Sequence, residues 1–184
     1  MHSRIYKHNA IIIYGSVYGT AKRYALRLSE LTGIDAASFN EAKDIKQYRR
    51  VIYLGSLYAG SVLGLKKTVG KMNDSQELII VTVGLVDPAD NENISYIRSS
   101  MKSQIPPSFY NESRMFHLRG AISYKALSAT HRLMMSFINR RISRLSLEKQ
   151  NAETQVIQAT YGKEVDYVDF STLLPIVDVL KEQE

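Results

Sequence analysis

The stretch Ala10-Ile11-Ile12-Ile13-Tyr14-Gly15-Ser16-Val17-Tyr18-Gly19-Thr20-Ala21 constrains this chain most. An apolar run stops in a small-residue turn, and a helical pattern begins at once. A buried parallel strand feeding a short loop at a helix N-terminus has this form. The exposed N–H groups and the positive end of the helix dipole favour an anion there, and glycine lets the backbone approach it closely. No Gly-Lys-Ser/Thr closes the loop, so it is not a nucleoside triphosphate loop. The second and third glycines of the dinucleotide fingerprint are also missing. Two hydroxyls, Ser16 and Thr20, and a run of backbone N–H groups can wrap one terminal phosphate without lysine. A plain strand-to-helix turn is the competing reading.

The rest of the chain continues the βα rhythm. Thr20 to Thr32 sets Ala21, Tyr24, Ala25, Leu28 and Leu31 on one helical face, with Gly33 as its C-cap. Ile34 to Ser38 is a weak second strand, and Asn40 to Tyr48 a short polar helix. Val51 to Leu54 is a third strand, Ser61 to Met72 a helix, and Leu78 to Val83 a fourth strand. Asn91 to Gln104 is helical, Met115 to Ser123 is a fifth strand, Leu127 to Leu147 a long basic helix, and Ser171 to Glu182 a terminal helix. Apolar strands alternating with helices predict an α/β fold with a parallel sheet covered on both faces. At 184 residues a single domain spanning 1–184 is expected.

Strands one, three and four each end in glycine, opening the loops Gly15–Ala21, Gly55–Gly64 and Gly84–Asp90. Ligands of open α/β sheets bind outside the carboxyl ends of strands, where the strand order reverses. In the order 2-1-3-4-5 these three strands border one crevice. Within the second loop, Ser56, Leu57, Tyr58, Ala59 and Gly60 offer an aromatic wall and free backbone groups to a planar ring. In the third, Gly84, Leu85, Val86 and Asp87 face the other side, with Leu85 or Val86 in place of an aromatic; Asp87 or Asp90 suits the N-cap of the next helix.

The run Ser16, Val17, Tyr18, Gly19, Thr20, Ala21 resembles the FMN-phosphate loop of flavodoxins, Ser/Thr-x-Thr-Gly-x-Thr, with Tyr18 and Ala21 departing from it. The resemblance implies a flavodoxin-like three-layer sandwich with a five-stranded parallel sheet, FMN as cofactor, and these residues as its phosphate site. Gly120-Ala121-Ile122-Ser123-Tyr124, a long helix with Arg132, Met134, Met135 and Ile138, and Lys163 to Asp169 recur in similar order in one flavodoxin-like group. That group is the menaquinone-dependent protoporphyrinogen dehydrogenases. It implies an FMN-dependent oxidoreductase linked to a porphyrinogen or a quinone, with residues 124–169 as its insertion after strand five. A plain flavodoxin electron carrier, and a flavodoxin-fold binding module that has lost FMN, are the alternatives.

Composition narrows the chemistry. The chain has no cysteine, which excludes thiolate nucleophiles, disulfides and iron–sulfur clusters, so redox chemistry falls to a bound organic cofactor. The four histidines lack metal-ligand spacing, and no Ser-His-Asp arrangement is recognisable, so no side chain is assigned as catalytic. His117 is a core or interface histidine, or else a proton relay. Asn93-Ile94-Ser95 fits a glycosylation pattern without an export signal beside it. No apolar run reaches membrane-span length, and the expected location is cytoplasmic. A net charge of +6 and a pI near 9.4 favour anionic partners, such as an acidic small molecule or an anionic lipid surface. No nucleic-acid-binding signature accompanies that charge. The 127–147 helix, with Arg132, Arg140, Arg141 and Arg144 beside its apolar residues, either packs on the sheet or lies on the inner face of the membrane.

Overall fold

Apolar side chains that run without alternation require cover on both faces of a strand, and this chain supplies it. The computed structural model describes residues 9–58, 61–146, 150 and 152–181. In chain order the elements are β1 (Ala10–Gly15), α1 (Thr20–Thr32), β2 (Ala36–Ser38), β3 (Arg50–Tyr58), β4 (Ser61–Val62), α2 (Leu65–Val69) and β5 (Glu77–Gly84). There follow α3 (Asn91–Lys102), β6 (Met115–Arg119), β7 (Ala121–Ser123), α4 (Ala129–Ile142), α5 (Ala152–Thr160), β8 (Glu164–Asp166) and α6 (Leu174–Lys181).

Five parallel strands run in the order β2-β1-β3-β5-β6, the expected doubly wound arrangement, with β4 hairpinned onto β3. One core lies under α1 and α6: Ile12, Ile52, Leu54, Ile79 and Val81 pack on Tyr24, Leu28, Ile176 and Leu180. The other lies under α2 and α3: Ile13, Val51, Tyr53 and Ile80 pack on Leu65, Val69, Ile97 and Met101. Neighbouring residues such as Ile12 and Ile13 thus serve opposite layers.

Several expected boundaries shift. On α1, Leu31 is exposed and Thr32 takes its place in the buried stripe. The Asn40–Tyr48 helix is only a 3-10 turn at Ile45–Gln47, preceded by Asp44 in the left-handed region at φ 48°. Ser61 to Met72 divides into β4 and the short α2, because Leu57 and Val62 pair in a ladder. The fifth strand breaks at Gly120: β6 stays in the sheet, while β7 leaves it to pair antiparallel with β8. The terminal helix begins as a 3-10 turn at Phe170–Leu173, with Pro175 in the first turn of α6.

The long basic helix differs most. It spans Ala129–Ile142, with Ser128 capping it by accepting from the His131 amide at 3.3 Å; residue 147 lies outside the described residues. Neither core cluster flanking the sheet contains one of its residues. It packs instead on α5, an element with no counterpart in the sequence expectations. Among the described residues, no helix is long and apolar enough to cross a membrane.

Candidate functional site

Register brings the glycine-ended strands to one level. Gly15 of β1 pairs with Gly55 of β3, and Ser56 pairs with Val83 of β5. A Cβ on Gly15 would collide with the Leu63 carbonyl and the Tyr53 hydroxyl, so only glycine fits there. Those two groups are hydrogen-bonded: fully buried Tyr53 donates to Leu63, and burial pushes its phenol pKa up. The sheet thus fixes where the first loop leaves the strand.

The loop then turns through Gly19, at φ +88°, which is the N-cap of α1 and has no side-chain cap. An uncapped N-terminus leaves its amide N–H groups open to an external acceptor. Beside it the Ser16 hydroxyl is buried and has no hydrogen-bond partner among the described residues. Leaving a buried hydroxyl unpaired costs about 1–3 kcal/mol, so this one marks a place where a ligand oxygen belongs. Thr20 is also buried, its hydroxyl donating to the Ala121 carbonyl at 3.4 Å. Ala21 adds its methyl to the core beneath α1.

Above these loops lies a cavity of about 770 Å³. Its floor is the carboxyl end of the sheet: Val17, Tyr18 and Thr20 from the first loop, Ser56 and Leu57 from the second, Gly84, Leu85 and Val86 from the third. Its roof is mostly apolar, with Met134, Met135 and Ile138 of α4 and Val156 and Ile157 of α5, and with His131, Thr154 and Gln155 among its polar members. Arg141 stands on the lining as well. The roof is fastened to the floor where the Tyr18 ring meets His131 edge-on, centroids 5.4 Å apart. Ala59, Gly60 and the side chain of Tyr58 lie outside the described residues.

The third loop is held from several sides. Asp90 caps α3 by accepting from the Glu92 amide at 2.8 Å. Asp87 accepts from the Ala89 amide, and its carbonyl accepts from the Asn93 side-chain amide at 2.8 Å. Asn93 is buried and lines the cavity, and its Oδ1 has no partner. Arg119, at the end of β6, reaches the Leu85 carbonyl and Asp87, each at 3.5 Å, and stacks over the Tyr167 ring at 3.9 Å. Its Nε is likewise buried without a partner. The sequence pattern marks Asn93 only as a glycosylation motif and gives Arg119 no role. A polar residue in the first turn after a glycine-ended strand, and a cation at a strand's carboxyl end, are the signals that point to them.

His117 sits lower on β6. Its Nδ1 lies 2.7 Å from the Thr82 hydroxyl and its Nε2 is buried without a partner. Burial, reinforced by the charge of Arg98, pushes its pKa down to about 4, so the ring is neutral at pH 7. It is absent from the cavity lining, as befits a core histidine.

A family model described as flavodoxin domain matches residues 11–144. No curated protein matches the chain. Among solved structures, oxidised flavodoxin 2 from Bacillus cereus aligns at a TM-score of 0.40 and 8% identity, covering 82% of this chain and 93% of that one. A mutant flavodoxin from Fusobacterium nucleatum, bound to flavin mononucleotide, aligns at 0.39 and 14% identity, covering 64% and 79%. The metal-soaked flavodiiron core from Synechocystis sp. aligns at 0.42 and 13% identity, covering 64% of this chain but only 32% of that protein.

Proposed function

The chain belongs to the flavodoxin domain family, and from that premise we propose that it is an FMN-dependent redox protein. The observation that carries this reading is the buried, unpartnered Ser16 hydroxyl beside the uncapped N-terminus of α1. Ser16, the amides around Gly19 and the α1 dipole hold the terminal phosphate. Leu57 and Ser56 on one side, and Gly84 to Val86 on the other, flank the ring system. Asp87, braced by Arg119, keeps the third loop in place. FMN, when bound, supplies one- and two-electron transfer that no side chain here can provide.

Within that reading, the protein acts as an oxidoreductase on a bulky, largely apolar substrate, a porphyrinogen with a quinone as electron acceptor, and not as a carrier for one protein partner. The roof of Met134, Met135, Ile138, Val156 and Ile157 supports this, since it adds an apolar wall and encloses the crevice. Arg141 on the lining suits a substrate carboxylate.

The protein purified from cells is expected to be yellow and to release close to one FMN per chain on heating. A colourless protein that also leaves the fluorescence of added FMN unquenched would overturn the flavin reading and leave a binding module. For a yellow protein, quinone reduction dependent on added porphyrinogen separates the enzyme from a carrier, which turns over nothing without its partner reductase.

A further inference from the structure

Helix α4 is apolar on two sides. Its inner side, with Met134, Met135 and Ile138, roofs the cavity. Its outer side carries Leu133 and Phe137, 61% and 63% exposed, more than any other large apolar residue among those described. Positions 133, 137, 140 and 144 fall within a narrow arc of a helix, which sets Arg140 and Arg144 in line with Leu133 and Phe137. Arg144 stands in the turn just after the helix, and exposed Arg132 flanks the arc.

The charges of this face are one-signed. No acidic residue occurs from Tyr124 through Leu147. Among the described residues, Arg132, Arg140 and Arg144 form no ion pair. The exposed leucines of α1 offer a contrast: Leu26 and Leu31 lie around the Arg27–Glu30 pair, 2.8 Å long, and that face is neutralised internally. On α4, among the described residues, nothing neutralises the cations and nothing covers the apolar pair.

We propose that the outer face of α4 docks on an anionic lipid bilayer. Leu133 and Phe137 enter the boundary between headgroups and acyl chains, while Arg132, Arg140 and Arg144 meet the lipid phosphates. A second copy of the chain fits poorly, because a two-fold contact presses two faces of the same positive charge together with no acidic residue from 124 to 147 to offset them. Nucleic acid leaves Leu133 and Phe137 without a role. Docking brings the cavity roofed by the same helix to the membrane, where lipid-soluble redox partners reside. The proposal concerns the outer face of α4, turned away from the cavity, and holds whether or not flavin binds.

The test is co-sedimentation of the full chain with vesicles of phosphatidylcholine alone or mixed with phosphatidylglycerol. Binding to the mixed vesicles, weak binding to the neutral ones, and release by salt are expected. Each arginine removed should weaken binding about five-fold, so Arg140→Gln with Arg144→Gln weakens it about twenty-five-fold. Leu133→Ser with Phe137→Ser should weaken it about ten-fold or more without altering the circular dichroism spectrum, since both side chains are exposed. Equal binding to both vesicle types, or binding that neither variant changes, overturns the proposal. So does a concentration-dependent dimer abolished by the Leu133 and Phe137 changes, which gives the face to a second copy. Retention on duplex DNA without vesicle binding also overturns it.

Discussion

The two ends of the sheet are built on opposite principles. At the amino ends of the strands most buried polar groups are matched. Glu77 accepts from Arg50 at 2.8 Å, with Arg114 at 3.6 Å and Arg49 at 3.9 Å. Burial pushes the Glu77 pKa up, but the Arg50 hydrogen bond and the three guanidinium charges outweigh it, so the carboxyl stays below its usual range. Buried Gln76 bonds the carbonyls of Ile45 and Tyr48 and the Asn73 amide. At the carboxyl ends, Ser16 Oγ, Asn93 Oδ1, Arg119 Nε and Tyr124 Oη are buried without partners among the described residues. Strand β6 shows the passage from one regime to the other: Arg114 before it is paired, His117 is half-satisfied, and Arg119 keeps an orphaned nitrogen. The matching is not complete on the amino side, where Arg98 pairs with Glu112 ahead of β6 but keeps a buried Nε without a partner among the described residues; the orphans are nonetheless concentrated at the carboxyl ends. The unmatched end is the one shaped for a ligand.

The matched end depends most on Glu77. Glu77→Ala strands Arg50, which is 9% exposed, without its carboxylate, and should cost about 3 kcal/mol in urea unfolding. FMN affinity of the folded protein should stay unchanged; a parallel loss would mean that the two ends are coupled. His117 tests the middle. Its folded pKa of about 4 lies below the ordinary 6.5, so the unfolded chain binds a proton that the folded one refuses. The resulting stability is fully present above about pH 6.5, falls as the pH drops, and levels off below about pH 4. The full span is at most about 3 kcal/mol. Unfolding midpoints measured across that window should lose this slope in His117→Gln; an unchanged slope places the titration elsewhere.

How much of the molecule is readable in its sequence depends on what each region asks of its residues. The parallel core is legible because Ile11, Ile12, Ile13 and Leu78 to Val83 are buried on both faces, and a short, continuous apolar run bounded by turns fits few arrangements besides a covered strand. The crevice is legible because glycines end its strands, and Gly15 and Gly19 are glycine for steric and backbone reasons that chain position reveals. The roof is not. β7 and β8 have three residues each, too few for a period, and the nine residues of α5 pack chiefly on α4. The amphipathic pattern of α4 marks its extent but not its setting, since a wheel cannot say that Met134 faces a cavity while Leu133 faces solvent. Asn93 and Arg119 act through contacts with Asp87, a partner that spacing alone does not supply.

Ser16 sharpens the contrast at the other end. Removing an orphaned hydroxyl deletes a liability, so Ser16→Ala should leave stability within about 1 kcal/mol of the parent, or raise it. The same change removes a hydrogen bond to a charged phosphate, which should weaken FMN binding about ten-fold or more in a fluorescence titration. A variant that loses stability but keeps its FMN affinity would make Ser16 a structural residue like Gln76.

The smallest effect asks whether roof and floor act together. Tyr18 belongs to the phosphate loop and His131 to the first turn of α4, and their edge-on contact joins the two. Such a pair contributes about 0.5–1.5 kcal/mol when both rings are held. Both side chains make further contacts, so a single substitution cannot isolate the stack, and a double-mutant cycle is needed. Tyr18→Leu and His131→Leu should each weaken FMN binding a few-fold, and the double variant should lose less than the sum, by about 0.5 kcal/mol or more. Non-additivity of that sign means that the roof steadies the loop that grips the phosphate. Additive losses would make the roof a substrate wall only, with cofactor affinity set by β1 and α1 alone.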